Sequence, residues 1–158
     1  MRKETIAIIY EPSKILLGFK NPEKKFGGKW NGFGGGVEKG ESLEDCSKRE
    51  TLQETGVIIR KQEKVGRIFF SFKSNEQEHD VFIYQIKDYD RTPKPSEDFV
   101  GYAWFNGNNL PDKMMPADPY WLPFFANGKM FKGNVILNKN NGEFEVISHN
   151  IYEVNNLD

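Results

Sequence analysis

The sequence predicts an α+β domain made mostly of strands around one firm central helix. Short apolar runs separated by turn residues recur along the chain, as strands require. One segment, residues 42–55, carries both the start and the stop signals of a helix. Thirteen Phe, six Tyr and three Trp suit a β-rich core or a site that stacks planar ligands. At 158 residues the chain fits a single domain, taken as residues 1–158, with no internal repeat, linker or low-complexity stretch.

Residues 5–10 (TIAIIY) and 14–20 (KILLGFK) are apolar runs joined by EPS, which predicts a hairpin. Residues 21–29 (NPEKKFGGK) have no periodicity and predict a loop. In the helix, Ser42 and Asp45 form a capping-box-like S-x-x-D, and Gly56 is the natural stop. Residues 65–72 (VGRIFFSF) and 79–86 (HDVFIYQI) predict strands around an acidic turn at 73–78. A polar, proline-bearing loop (87–98) precedes another strand, VGYAWF. MMPADPYWLPFF starts as a loop and predicts a short helix after Pro119. KMFKGNVIL and EFEVISHNIYEV close the chain as a hairpin around NKNNG.

A formal charge of −1 gives no basic surplus for a long polyanion, so no nucleic-acid partner is expected. The one cysteine, Cys46, excludes an intrachain disulfide and a Cys-based zinc site, and fits a reducing compartment. The charged start is followed by an apolar run too short for a signal peptide, and no run reaches transmembrane length. A soluble cytoplasmic protein without a membrane partner is the expectation.

The helix holds the chemistry. At about 100° per residue, Leu43, Ser47, Glu50 and Glu54 share one stripe, with Cys46 and Gln53 beside it. A face that begins apolar therefore continues as two carboxylates one turn apart, which repel unless a cation lies between them. A solvated acidic face paired with Lys48 or Arg49 is the bland alternative. The preceding FGGG weighs against it, because consecutive glycines permit positive φ or the close approach of metal and phosphate. Hard divalent cations take such oxygen ligands.

GGVEKGESLEDCSKRETLQETGV has the form G-x5-E-x7-R-E-U-x-E-E-x-G-U, with Gly35, Glu41, Arg49, Glu50, Glu54, Gly56 and Val57 all matching. This resembles the signature of the Nudix hydrolases. Two positions depart from it: Thr51 stands where an apolar residue is usual, and Gln53 where the first glutamate of the pair is expected. TIAIIYEPSKILLGFK, KWNGFGG, VGRIFFSF, YAWF, PADPYWLP and IYEV extend the resemblance over nearly the whole chain, toward the MutT-type oxidised-purine nucleoside triphosphatases.

That resemblance implies the Nudix fold, a mixed β-sheet sandwich with the catalytic helix. It also implies Mg²⁺-dependent (or Mn²⁺-dependent) attack of water on a nucleoside triphosphate such as 8-oxo-dGTP, giving a monophosphate and pyrophosphate. Glu50 and Glu54, with the Gly34 carbonyl and the neighbouring position Gln53, would hold metal. Glu50, Glu97 or Asp98 would assist the water, and Arg49 would orient Glu50. Lys20 matches a lysine near the phosphates, while Thr5, Asn31 and Phe33 match positions lining the nucleoside pocket. The base-stacking tryptophan of the family is Met115 here, and of its two adjacent aspartates Ala117 replaces the first and Asp118 remains. A monomer or homodimer fits equally.

Rivals are Nudix hydrolysis of ADP-ribose or a dinucleoside polyphosphate, or a non-catalytic Nudix-like nucleotide-binding domain. Elsewhere, His79 and His149 read as strand or surface residues and Cys46 as a small core residue. Trp104 and Trp121 read as core, and Trp30 as either ligand contact or wedge. Phe70 and Phe72 share a strand face whose default is core packing. Lys24, Lys25 and Lys29 are phosphate guides or solvated loop residues in equal measure.

Overall fold

The computed structural model describes residues 1–74 and 77–157, so Asn75 and Glu76 of the acidic turn lie outside the described residues. Nine strands and two helices follow in the order β1 (Arg2–Glu11), β2 (Lys14–Lys20), β3 (Trp30–Asn31), β4 (Phe33–Gly36), α1 (Leu43–Thr55), β5 (Ile58–Phe72), β6 (His79–Asp90), β7 (Phe99–Asn106), α2 (Asp118–Ala126), β8 (Phe131–Asn140) and β9 (Glu143–Glu153). All nine strands join one mixed sheet in the order β3-β2-β1-β6-β5-β8-β9, with β4 on β1 and β7 on β2. The β1–β6 and β5–β8 pairs are parallel and the others antiparallel. The α+β reading holds. The signature glycines, to which the sequence reading assigned no element, form the short strand β4, and β5 starts seven residues before its apolar stretch.

β1 branches. Its C-terminal half pairs with β2 and its N-terminal half with β4, so the sheet opens between them. Alternation along β1 then feeds two cores. Ile8 joins Ile15, Leu17, Ile68, Trp121 and Phe125 on the α2 side. Ala7 and Ile9 join Leu16, Val57, Phe82 and Tyr84 on the other side.

α1 starts where expected. Ser42 is the N-cap and accepts from the Asp45 amide, while Gly56 ends the helix in the left-handed conformation. The buried face of α1 is small and polar, made of Cys46, Ser47, Thr51 and Thr55. Ser47 donates to Gln62 Oε1 at 2.7 Å, and the Tyr84 hydroxyl donates to Glu44, so hydrogen bonds tie this face to the sheet. Trp104, expected in the core, is 41 % exposed, and Lys14 Nζ lies 4.7 Å over its ring. Its strand β7 pairs with β2 at the sheet margin, which leaves one face of the indole to solvent.

Candidate active site

The glycines of β4 sit where a side chain cannot. A Cβ on Gly34 would lie 1.7 Å from the Thr5 carbonyl oxygen, and one on Gly35 would lie 2.8 Å from the Glu50 carboxyl carbon. Neither has positive φ, so close approach is what the sequence encodes here. β4 packs directly on α1, and the Gly34 amide donates to Glu54 Oε1 at 3.0 Å.

Arg49 organises the other carboxylates. Its Nε and Nη2 grip Glu41 bidentately at 2.7 and 2.9 Å, Nη1 donates to Glu50 Oε1 at 2.7 Å, and Nη2 reaches the Gly36 carbonyl at 3.1 Å. Hydrogen bonding from Arg49 holds the Glu41 carboxyl down at about 2, and Glu41 in turn raises the already high Arg49. The guanidinium, anchored by its bidentate fork on Glu41, therefore holds Glu50 through the single remaining Nη1 bond.

Glu54 is matched by an amide instead. Burial pushes its carboxyl up to about 8; the charges of Glu50 and Asp98 add to the rise, while the Gly34 amide and Lys20 oppose it. Burial and like charge both favour the neutral form, and a cation placed here would reverse both. Two carboxylates one turn apart beside a glycine backbone are hard-oxygen donors of the kind a divalent cation takes, and among the described residues no third acid or histidine stands close enough to complete a cluster with them. Gln53, one stripe away, is exposed on the helix surface.

The two acids expected to assist water separate. Glu97 is exposed and paired with Lys24 at 3.2 Å, which commits one of the basic loop residues. Asp98 is half-buried and acts on Glu54. Ser96 makes this difference: its hydroxyl donates to the Glu54 carbonyl at 2.6 Å and accepts from the Asp98 and Phe99 amides, clipping the loop to the end of α1. Nothing in the sequence reading marked Ser96.

A cavity of about 220 Å³ runs from Glu54, Lys20 and Gly34 through Asn31 to Met115 and Asp118. Of the metal-ligand candidates, Glu54 and Gly34 thus open onto the same space as the base-pocket candidates, while Glu50 and Gln53 do not line it. Thr5 borders it, but its hydroxyl lies 3.3 Å from the Cys46 thiol on the α1 side. Phe33 does not line it; that ring is fully buried and packs edge-to-face against Phe99 at 5.3 Å, on the face of β4 turned to the core. Asn31 does line it, with one amide hydrogen donated to the Lys29 carbonyl. Trp30 is wedged edge-on between Phe19 and Phe105 and also lines the cavity.

Asp118 opens α2 and accepts from Trp121 Nε1 at 3.1 Å. Burial pushes its carboxyl up to about 7, against hydrogen bonds from Trp121 and the Met115 backbone. Trp121 is buried as expected and also lines the cavity. Behind Asp118 the space continues into an apolar chamber of about 260 Å³ that includes Phe70, Phe72, Glu4 and His79. His79 is a strand residue, the first of β6, and its partly buried ring faces this chamber. The parallel β1–β6 register, with Arg2 opposite His79, brings it beside Glu4. The other histidine, His149, stacks on Tyr120 at 3.9 Å.

Fold, glycine strand, fork and carboxylate helix together define a Nudix domain. Residues 1–125 match the NUDIX domain model, and the chain belongs to the Nudix hydrolase family, whose members use a divalent metal. It is 35% identical over 158 residues to the oxidized purine nucleoside triphosphate hydrolase of Mus musculus, covering 99% of this chain and 97% of that one. The zebrafish (Danio rerio) protein of the same description is 34% identical over 155 residues, covering 97% and 96%. A mutator MutT protein from Bacillus halodurans shares the fold at a TM-score of 0.77 and 20% identity, covering 96% of this chain and 97% of that one.

Proposed function

We propose that this Nudix hydrolase is a Mg²⁺-dependent nucleoside triphosphate pyrophosphohydrolase that clears oxidised purine nucleotides such as 8-oxo-dGTP. The observation that carries the reading is the continuous cavity joining Glu54 of α1 to Met115 and to Asp118 at the start of α2. One end suits a metal-bound triphosphate and the other a flat base. The full-length similarity to the two oxidized purine nucleoside triphosphate hydrolases supports the choice of substrate.

Glu50 and Glu54, with the Gly34 carbonyl, would hold the cation, with Mn²⁺ as the alternative to Mg²⁺. When bound it would neutralise phosphate oxygens and make water a better nucleophile at neutral pH. Arg49 keeps Glu50 in its ligating rotamer. Asp98, or Glu50 itself, takes the proton of the attacking water. Lys20 balances phosphate charge. Water adds across a phosphoanhydride, and a nucleoside monophosphate and pyrophosphate leave. The thioether of Met115 packs on the base face. Among the described residues no helix is long and apolar enough to cross a membrane, and the proposed site of action is the cytoplasm. One domain over residues 1–158 would act as monomer or homodimer, without nucleic acid.

Pyrophosphate release across normal and oxidised triphosphates, with and without Mg²⁺, tests the reading. Oxidised guanine should be preferred, the rate should require the cation, and Glu54→Gln should lose activity by orders of magnitude while folding normally. Full activity in excess chelator would sink the metal assignment. Equal kcat/KM for oxidised guanine, guanine and pyrimidine triphosphates would sink the oxidised-purine assignment.

A further inference from the structure

The chamber behind Asp118 holds a pair that the proposed chemistry leaves unused. Its walls are apolar and aromatic, including Phe70, Phe72 and Met115, and its ionisable side chains are Glu4, His79 and Asp118. Glu4 belongs to both parts of the cavity, because alternation along β1 puts it on the Ile6 and Ile8 side. Its Oε1 is in direct hydrogen-bonding contact with His79 Nδ1, and Arg2 Nε lies 3.9 Å from the same oxygen. The imidazole is itself held edge-on against Phe72, with ring centroids 5.7 Å apart. One carboxylate oxygen is thus fixed by a clamped ring, and among the described residues the second, Oε2, has no such partner.

We propose that Glu4, positioned by His79, tells an oxidised purine from its parent by accepting the N7–H that only the oxidised ring carries. This rests on the nucleotide hydrolase reading above and names the group that sets its preference. The argument is a count of donors. Guanine shows N–H donors at N1 and N2, on one edge, and an acceptor at N7. The 8-oxo form keeps those donors and converts N7 into a donor on the opposite edge. A carboxylate is an acceptor when ionised. Two carboxylates in one aromatic chamber, Asp118 from α2 and Glu4 from β1, therefore match a ring with donors on both edges. Against an unoxidised purine, the Glu4 oxygen would meet the N7 lone pair and lose its water without gaining a bond. A site built around a hydrogen bond rejects a ligand that lacks the group in this way.

The experiment measures kcat/KM for 8-oxo-dGTP and dGTP, together with equilibrium binding of 8-oxo-dGMP and dGMP, in the unmodified protein and in Glu4→Leu, His79→Leu and His79→Gln. Glu4→Leu should lower the oxidised-to-normal ratio by about tenfold or more in both assays. His79→Leu should lower it in the same direction, and His79→Gln, which keeps an N–H donor, should restore much of it. A merely structural role would shift both nucleotides together. An unchanged ratio in folded Glu4→Leu overturns the inference while leaving the hydrolase reading intact. Loss of all triphosphate hydrolysis in the unmodified protein would overturn the hydrolase reading, and the monophosphate binding ratio would still judge Glu4.

Discussion

Thr51 shows how one residue can record a compromise. It lies fully buried on α1, and its hydroxyl is the one buried side-chain polar atom without a hydrogen-bond partner among the described residues. One turn later Thr55 makes the bond that Thr51 does not, donating to the Thr51 carbonyl at 2.7 Å. A buried unsatisfied hydroxyl costs about 1–3 kcal/mol. Thr51→Val removes that hydroxyl at nearly constant volume, and should raise stability by about 1 kcal/mol, read as a higher urea midpoint with unchanged m value. A lower midpoint would mean that the hydroxyl is satisfied in solution. Gln53 makes the opposite case. Restoring a carboxylate by Gln53→Glu should lower the Mg²⁺ concentration for half-maximal rate if that position reaches the cation, since a neutral amide is the weaker ligand. An unchanged midpoint would place it with solvent, as its exposure in the free protein suggests.

At the scale of the element, α1 and β4 form one device whose stability is tied to its ligand. The Glu54 carboxyl rises from 4.5 to about 8, mainly through burial. The folded state therefore keeps a proton that the unfolded chain releases. Without metal, this contribution to stability is fully present below pH 4.5 and is lost as pH rises toward 8, by about 1.4 kcal/mol per unit. Saturating Mg²⁺ should flatten that slope, because binding needs the ionised carboxylate. Glu54→Gln should flatten it without metal. Urea midpoints at several pH values in chelator and in Mg²⁺ read both, and a free protein that grows more stable from pH 5 to 8 would contradict the assignment. The box itself was legible because its chemistry is written in consecutive residues. β3 and β4 were not, since two residues and a glycine run carry no strand pattern of their own and become strands only by pairing, β3 with β2 and β4 with β1. The buried face of α1 escaped a hydrophobicity argument for a related reason, being made of Cys46, Ser47, Thr51 and Thr55. Glu4 and His79 meet only through a parallel pairing across 75 positions, which no local pattern announces.

For the whole molecule, the branch in the sheet is the feature that joins two chemistries. β2 and β4 part from opposite halves of β1, and the cavity runs through that opening from Glu54 of α1 to the α2 terminus. The proposed phosphate end and base end are therefore built on different elements, Lys20 on β2 and Asp118 on α2. Two residues on separate supports with no shared partner should act independently. Lys20→Met should lower kcat/KM for all triphosphates by a similar factor, because every substrate carries the phosphates. Asp118→Ala should erode the preference among bases more than it lowers the rate on a poor substrate. The double variant should lose the sum of the two effects to within about 0.5 kcal/mol, for oxidised and normal guanine alike. A coupling above about 1 kcal/mol would instead mean that the two ends of the cavity adjust to one another, with the opening in the sheet acting as a hinge rather than a fixed frame.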